Sequence, residues 1–208
     1  MKKITFILAL ILVCSHILLA QNPNENKKPR IALILSGGGA KGIAHIPVLQ
    51  MLDSLGIVPD LVVGNSMGSI VGGLYAMGYS GDSIAHIAKT ANWDNLIGGN
   101  VSLNNVSVEE KTEFGRYLIG MGAKDGKIKL TPFLLNDQNL RTFLADLTYT
   151  VYTNTNFDKL SIPFRAIATD IVNGKEVVLD KGDLAFAMRA SMSIPGAFIP
   201  VPYENTLL

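Results

Sequence analysis

Twice in succession the chain passes from a run of apolar residues, through a turn crowded with glycine, into small and apolar residues at helical spacing. The first unit is the apolar run 31–35, then Ser36-Gly37-Gly38-Gly39-Ala40-Lys41-Gly42, with a helical pattern over 41–55. The second is Asp60-Leu61-Val62-Val63, then Gly64-Asn65-Ser66-Met67-Gly68-Ser69, then a helical pattern over 70–78. Parallel strands cannot be joined by a tight hairpin and need a crossover, usually a helix. Two such units in a row therefore predict an α/β sandwich with a mainly parallel sheet. Parallel strands also end at one edge, so both glycine turns are expected side by side.

The rest of the chain fits this class. Gly56 stops the first helical pattern, and Pro47, which removes a donor, is tolerated best close to that helix's start. The middle is rich in Asn and Gly over 92–105, and residues 109–118 and 137–147 read as short amphipathic helices. Residues 162–180 alternate apolar and polar around Asn173-Gly174, which predicts a hairpin. Asp183 is expected to cap a helix over 184–192 that Pro195-Gly196 ends, and the final residues through Leu207-Leu208 read as another strand.

Met1-Lys2-Lys3 precedes an apolar run over 4–20, closing on Leu18-Leu19-Ala20 before polar Gln21. That is the layout of a signal peptide cleaved after Ala20. The run is short for a membrane span, and Ser15 and His16 interrupt it. Residues 21–30 are polar and contain proline, a tether ahead of a folded domain over 31–208. The single cysteine, Cys14, lies in the leader, so no disulfide is expected in the mature chain. Of 18 basic and 17 acidic residues the leader holds Lys2 and Lys3, which leaves a net charge of about −1. No basic run interleaves with aromatics, so a nucleic-acid partner is not expected.

Residues 64–68 are a G-x-S-x-G pentapeptide between a strand and a helix. A serine there sits on a sharp, strained turn, flanked by glycines because side chains at Gly64 and Gly68 would collide with their surroundings. The turn lifts Ser66 Oγ above the sheet edge, where it is the candidate nucleophile. The following helix aims its free N–H groups and positive dipole end at the same spot. Gly37, Gly38 and Gly39 supply further bare N–H groups across the site, so these glycines and Met67 form the candidate oxyanion hole. Gly42, Gly64 and Gly68 are the remaining motif glycines, and Lys41 either adds positive potential or is a solvated helix-face lysine.

Gly37, Gly39 and Gly42 also satisfy G-x-G-x-x-G, the dinucleotide fingerprint. That reading needs an acid at the far end of the second strand. Asp60 is the nearest, and it begins that strand, at the edge opposite the glycine turn. For a base to serve Ser66, only His86 follows in sequence among the histidines, and it comes too soon for the serine-acid-histidine order of α/β-hydrolases. His45, on the helix after the glycine turn, is more commonly a packed or surface histidine. A carboxylate acting directly on the serine is the other route.

Taken together, Gly37-Gly38-Gly39-Ala40-Lys41-Gly42, the elbow Gly64-Asn65-Ser66-Met67-Gly68, Ala168-Thr169-Asp170, and the RASMSIPGAF stretch at 189–198 resemble patatin-like phospholipases. The resemblance runs from about Arg30 onward. It implies a three-layer α/β/α sandwich, a Ser-Asp dyad with Ser66 as nucleophile, and lipid acyl esters, phospholipids first among them, drawn from a membrane surface for lipid catabolism. It implies no metal or other cofactor. Relatives that carry a leader often continue into an outer-membrane barrel, so an exported location is expected: periplasm, outer membrane or medium. Pro47 departs from the small residue usual in the family. In that family the aspartate lies in an Asp-Gly-Gly or Asp-Gly-Ala motif a few residues after the segment matching 194–201, and this sequence has neither. Asp170 and Asp183 match other family positions, and Asp125-Gly126 and Asp180 come too early. The expectation is that the sequence stops short of its catalytic base, so that residues 1–208 alone are impaired or a non-catalytic fragment.

Overall fold

The apolar runs pair as their spacing demands, and the glycine-rich helix between them is what brings the sheet and its cover together. The computed structural model describes residues 29–97, 121–124, 127–130, 137–195 and 197–208. Contacts divide the chain into Met1–Arg30, of which only residues 29 and 30 are described, and Ile31–Leu208. The leader over 1–20, Cys14, the tether up to residue 28, the helix expected over 109–118, Asp125-Gly126 and Gly196 lie outside the described residues.

In chain order the elements are β1 (Ala32–Leu35), a 3-10 turn (Gly39–His45), α1 (Ile46–Ser54), β2 (Leu61–Asn65), α2 (Met67–Ala76), α3 (Gly81–Thr90) and α4 (Trp93–Ile97). Then come β3 (Met121–Lys124) and β4 (Lys127–Leu130), an antiparallel pair of their own, and α5 (Gln138–Thr148). β5 (Phe164–Asp170), β6 (Lys175–Leu179), α6 (Leu184–Ser191), β7 (Pro202–Tyr203) and β8 (Thr206–Leu207) complete the chain. The main sheet has the order β1-β2-β5-β6, with β1, β2 and β5 mutually parallel and β6 antiparallel at its edge. This is the expected α/β sandwich with a mainly parallel sheet.

Pro47 finds its place because the helical pattern that begins at Lys41 is two helices. A 3-10 turn runs to His45, and the α-helix proper starts at Ile46, so Pro47 sits in its first turn, where an N–H has no partner to lose. All ten residues of α2 are buried. Its small residues allow this: a Cβ on Gly73 would lie 2.4 Å from Met188 Cε of α6, and one on Gly72 2.9 Å from Val62 Cγ1 of β2. α2 thus lies flat on the face formed by Val62 and Phe164, with α6 beside it. The other face of the sheet is more open: Ile34 is 73% exposed and Val178 47%. The strand expected from the apolar run 31–35 has only Leu35 buried, and among the described residues it stands at the edge of the sheet.

Charged side chains fix the outer helices. Asp53 of α1 accepts from Tyr75 Oη of α2 at 2.7 Å and from Gly81 N of α3 at 2.7 Å; burial and this bond push the Tyr75 hydroxyl up to about 12. Arg189 of α6 is buried and donates from Nε to Asp137 Oδ2, at the start of α5. Its other nitrogens reach Ser193 Oγ at 2.8 Å and Ile199 O at 2.9 Å, and its guanidinium lies 4.8 Å from the centre of the Phe198 ring. Burial pushes the Asp137 carboxyl up, but bonds from Arg141 and Arg189 outweigh it and hold the pKa below its ordinary value. No described helix is long and apolar enough to cross a membrane.

Candidate active site

β2 ends at Asn65, α2 begins at Met67, and Ser66 alone makes the turn, at φ 52 and ψ −123. A non-glycine residue in this sparsely populated region costs on the order of 1–3 kcal/mol, and persists only where its neighbours fix it. Here they do. A Cβ on Gly68 would lie 2.2 Å from Leu35 O and 2.6 Å from Ser36 O, and one on Gly64 would lie 2.5 Å from Gly68 O. The two glycines let the start of α2 press on the end of β1. Ser66 O accepts from Ser69 N at 2.8 Å and from Ser69 Oγ at 2.7 Å, while Ser66 N donates to Ser191 Oγ of α6 at 2.8 Å.

The glycine turn after β1 stands against this elbow. A Cβ on Gly37 would be 3.0 Å from Ser66 Cβ, and one on Gly42 would be 2.6 Å from Met67 Cβ. Gly38 and Gly39 take φ values of 144 and 56, so the turn itself requires glycine at these two positions. Among the described residues no acceptor takes the N–H of Gly37 or Gly38, which leaves them available to a ligand oxygen. The structure thus brings Ser66, Met67, Gly37, Gly42, Gly64 and Gly68 to one place at the sheet edge, with Gly38 and Gly39 on the loop that faces it.

Of the titratable groups weighed from the sequence, His45, Asp60, Asp170 and Asp183 are engaged elsewhere. His45 Nε2 lies 2.9 Å from Ser36 O, so its N–H holds the root of the glycine turn. His86 is exposed on α3. Asp60 accepts from Ile31 N at 2.7 Å at the start of β2, the edge away from the glycine turn. Asp183 caps α6 through Phe186 N at 2.6 Å. Asp170 sits at the end of β5 and accepts from Asn173 Nδ2 at 2.8 Å, Thr206 Oγ1 at 2.6 Å, Asn173 N at 3.0 Å and Val172 N at 2.9 Å. Those bonds, the Asn173 side chain first, draw its carboxyl down to about 2. It organises the turn between β5 and β6. Among the described residues Ser66 Oγ has no hydrogen-bond partner.

The patatin-like phospholipase family profile matches residues 33–208. The chain belongs to that family. Among its patatin-like relatives, an uncharacterised NTE family protein of Mycobacterium tuberculosis is 33% identical over 183 residues, which is 88% of this chain and 42% of the relative. A lysophospholipase of Cryptococcus neoformans var. neoformans is 30% identical over 179 residues, 86% of this chain and 9% of the relative. The crystal structure of VipD from Legionella pneumophila shares the fold with a TM-score of 0.53 at 15% identity, over 86% of this chain and 45% of that one. The chain spans less than half the length of these curated relatives.

Beside the elbow, on the side of α2 away from the sheet, lies an apolar pocket. Ile43, Ile46, Met67, Ile70, Leu74 and Trp93 are among its lining residues, and every other lining side chain is apolar as well. Sequence reasoning did not anticipate the contribution of His45 to the glycine turn, the Arg189–Asp137 pair, or Ser191. A serine and an arginine inside the otherwise apolar run 184–192 were the available signal.

Proposed function

We propose that the protein is a serine hydrolase of lipid acyl esters, phospholipids or lysophospholipids, with Ser66 as nucleophile. The observation that carries this reading is the left-handed turn at Ser66, flanked by glycines and packed against the Gly37 loop. Ser66 Oγ attacks the ester carbonyl carbon while its proton passes to a base, and the carbonyl oxygen becomes an oxyanion. The N–H groups of Gly37, Gly38, Gly39 and Met67 receive that charge; one such donor is commonly worth about 10² to 10³ in rate. The protonated base returns its proton to the departing alcohol oxygen. Water, deprotonated by the same base, then attacks the acyl-serine and releases the fatty acid. The apolar pocket that begins at Met67 offers the acyl chain a place to lie beside the scissile bond.

The base in this reading is the aspartate of the family's Asp-Gly motif, which is not among these residues. Asp60, Asp170 and Asp183 are each engaged by backbone or side-chain donors in structural roles. Export belongs to the same reading: Lys2-Lys3 and the apolar run up to Ala20 direct the chain out of the cytoplasm, toward a membrane surface as substrate source. N-terminal sequencing of the cell-associated protein checks this; a mature start near Gln21 is expected, and an intact Met1 on cytoplasmic protein refutes it. For the chemistry, in a folded chain that carries the Asp-Gly base, a fluorophosphonate probe is expected to label Ser66 and no other residue. Ser66→Ala should remove labelling while leaving the fold intact. Continued labelling or ester cleavage by the alanine variant would mean that another residue is the nucleophile.

A further inference from the structure

We infer that Ser191, at the last position of α6, is a positioning residue for the nucleophile: its hydroxyl is inserted into the β2–β5 ladder at the rung where Ser66 turns away. In this parallel pair Val62 N donates to Pro163 O at 2.9 Å, and Val62 stands opposite Phe164. Parallel ladders repeat every two residues on each strand. Two steps along, the next-but-one rung would join Ser66 N to Ile167 O. That direct bond is replaced. Ser66 N donates to Ser191 Oγ at 2.8 Å, and Ser191 Oγ in turn donates to Ile167 O. One hydroxyl, acting as acceptor and donor at once, stands in the place of the rung.

The geometry explains why the substitution matters. A direct rung would hold Ser66 in extended conformation and carry β2 one residue further. With a hydroxyl between them the strands separate at this point, so the backbone turns at φ 52 while neither the Ser66 N–H nor the Ile167 carbonyl loses its partner. Ser191 is buried, and losing its hydroxyl would strand both groups where water replaces it poorly. The other end of the same residue is anchored by the same helix: Ser69 Oγ, which donates to Ser66 O, also lies 3.4 Å from Met188 O of α6. Arg189, two residues before Ser191, fixes α6 to Asp137 and Ile199. The helix that carries the RASMSIPGAF stretch is thereby the clamp that sets the elbow.

This inference rests on the reading of Ser66 as nucleophile for its functional meaning, and its test has an arm that does not. Amide hydrogen exchange in the full chain compares Ser66 N–H with Val62 N–H, whose rung is direct. In Ser191→Ala the Ser66 amide is expected to exchange at least ~10-fold faster relative to Val62 than in the parent. Ser191→Cys, which keeps the volume close and offers only weak sulfur bonding, should move in the same direction and covers the case in which alanine prevents folding. The fluorophosphonate rate constant at Ser66 is expected to fall about 10- to 100-fold in both variants, as for a displaced nucleophile. Ser191→Thr, which retains the hydroxyl, should keep the Ser66 amide slow. If Ser66 and Val62 amides change together, or if the Ser66 amide is unmoved, Ser191 does not hold the elbow. If the exchange result holds but a parent chain that carries the Asp-Gly base never labels at Ser66, the positioning stands and the nucleophile reading fails.

Discussion

The sharpest test of the elbow uses glycine, because its two kinds of glycine respond differently to one added methyl group. In Gly68→Ala the new Cβ is placed 2.2 Å from Leu35 O, with Leu35 C and Ser36 O each at 2.6 Å. All three are backbone atoms of β1 and the root of the glycine turn, so no side chain can swing aside. Ordinary contact begins near 3.4 Å, and either α2 must lift or β1 must move by about 1 Å. Overpacking of this kind costs typically 1–3 kcal/mol when side chains absorb it, and here we expect about 3 kcal/mol or more. Gly39→Ala is the matched control. It meets nothing within 4 Å but stands at φ +56, and a left-handed alanine costs about 1 kcal/mol. For a domain of this size 1 kcal/mol moves Tm by roughly 2–4 °C, so the expected losses are about 6–12 °C and about 2–4 °C. Thermal unfolding followed by circular dichroism measures both. Equal losses, or a smaller loss for Gly68→Ala, would show that α2 does not press on β1 as described, and the account of why the elbow needs glycine would go with it.

Three other perturbations have expected outcomes. Ser66→Gly removes the strained side chain at φ 52 and should raise Tm by about 2–4 °C while abolishing probe labelling, a gain in stability at the expense of the reaction. Asp170 has a folded-state pKa lowered to about 2, below its unfolded value, so its bonds stabilise the fold above about pH 4 and lose that contribution as pH falls toward 2. Acid titration of Asp170→Asn should therefore show a flatter stability profile across that window than the parent does; identical profiles would remove Asp170 from the turn's account. Arg189→Met leaves the buried Asp137 with only Arg141 and should destabilise by about 3–5 kcal/mol in urea unfolding, with Asp137→Asn in the same chain recovering part of the loss.

Much of the frame was legible because it is written in local pattern. The period of the apolar runs, the glycine at each strand end and the Asn173-Gly174 turn gave the parallel units, the elbow and the hairpin without any distant contact. Pro47 was legible as a constraint and not as a solution: a proline close to a helix start says nothing of a 3-10 turn before it. Ile34 misled for a different reason. An apolar run reads the same in a central strand and in an edge strand, and only the strand order β1-β2-β5-β6 shows that, among the described residues, β1 has a neighbour on one side. Likewise Asn173-Gly174 announced a turn but not that Asp170 holds it, since three of its four donors become neighbours only through the loop it closes and the fourth, Thr206, arrives from the end of the chain.

What sequence pattern could not supply is the relation between the elbow and α6, because it spans 125 residues and no periodicity carries it. Yet its physical logic is simple once the ladder is in view. A nucleophile elbow must end a parallel strand abruptly, and an abrupt end leaves an N–H on one strand and a carbonyl on its neighbour without each other. Water at that depth would satisfy both groups but would hold neither in place. A serine on the packed helix satisfies both and adds rigidity, provided the helix cannot slide along the sheet. Arg189 provides that lock, with one hydrogen bond from each of its three nitrogens, to Asp137, Ser193 and Ile199. Two buried polar residues in an apolar helix, one step of two apart, thus have one purpose between them: Arg189 fixes where the helix stands, and Ser191 passes that position on to Ser66.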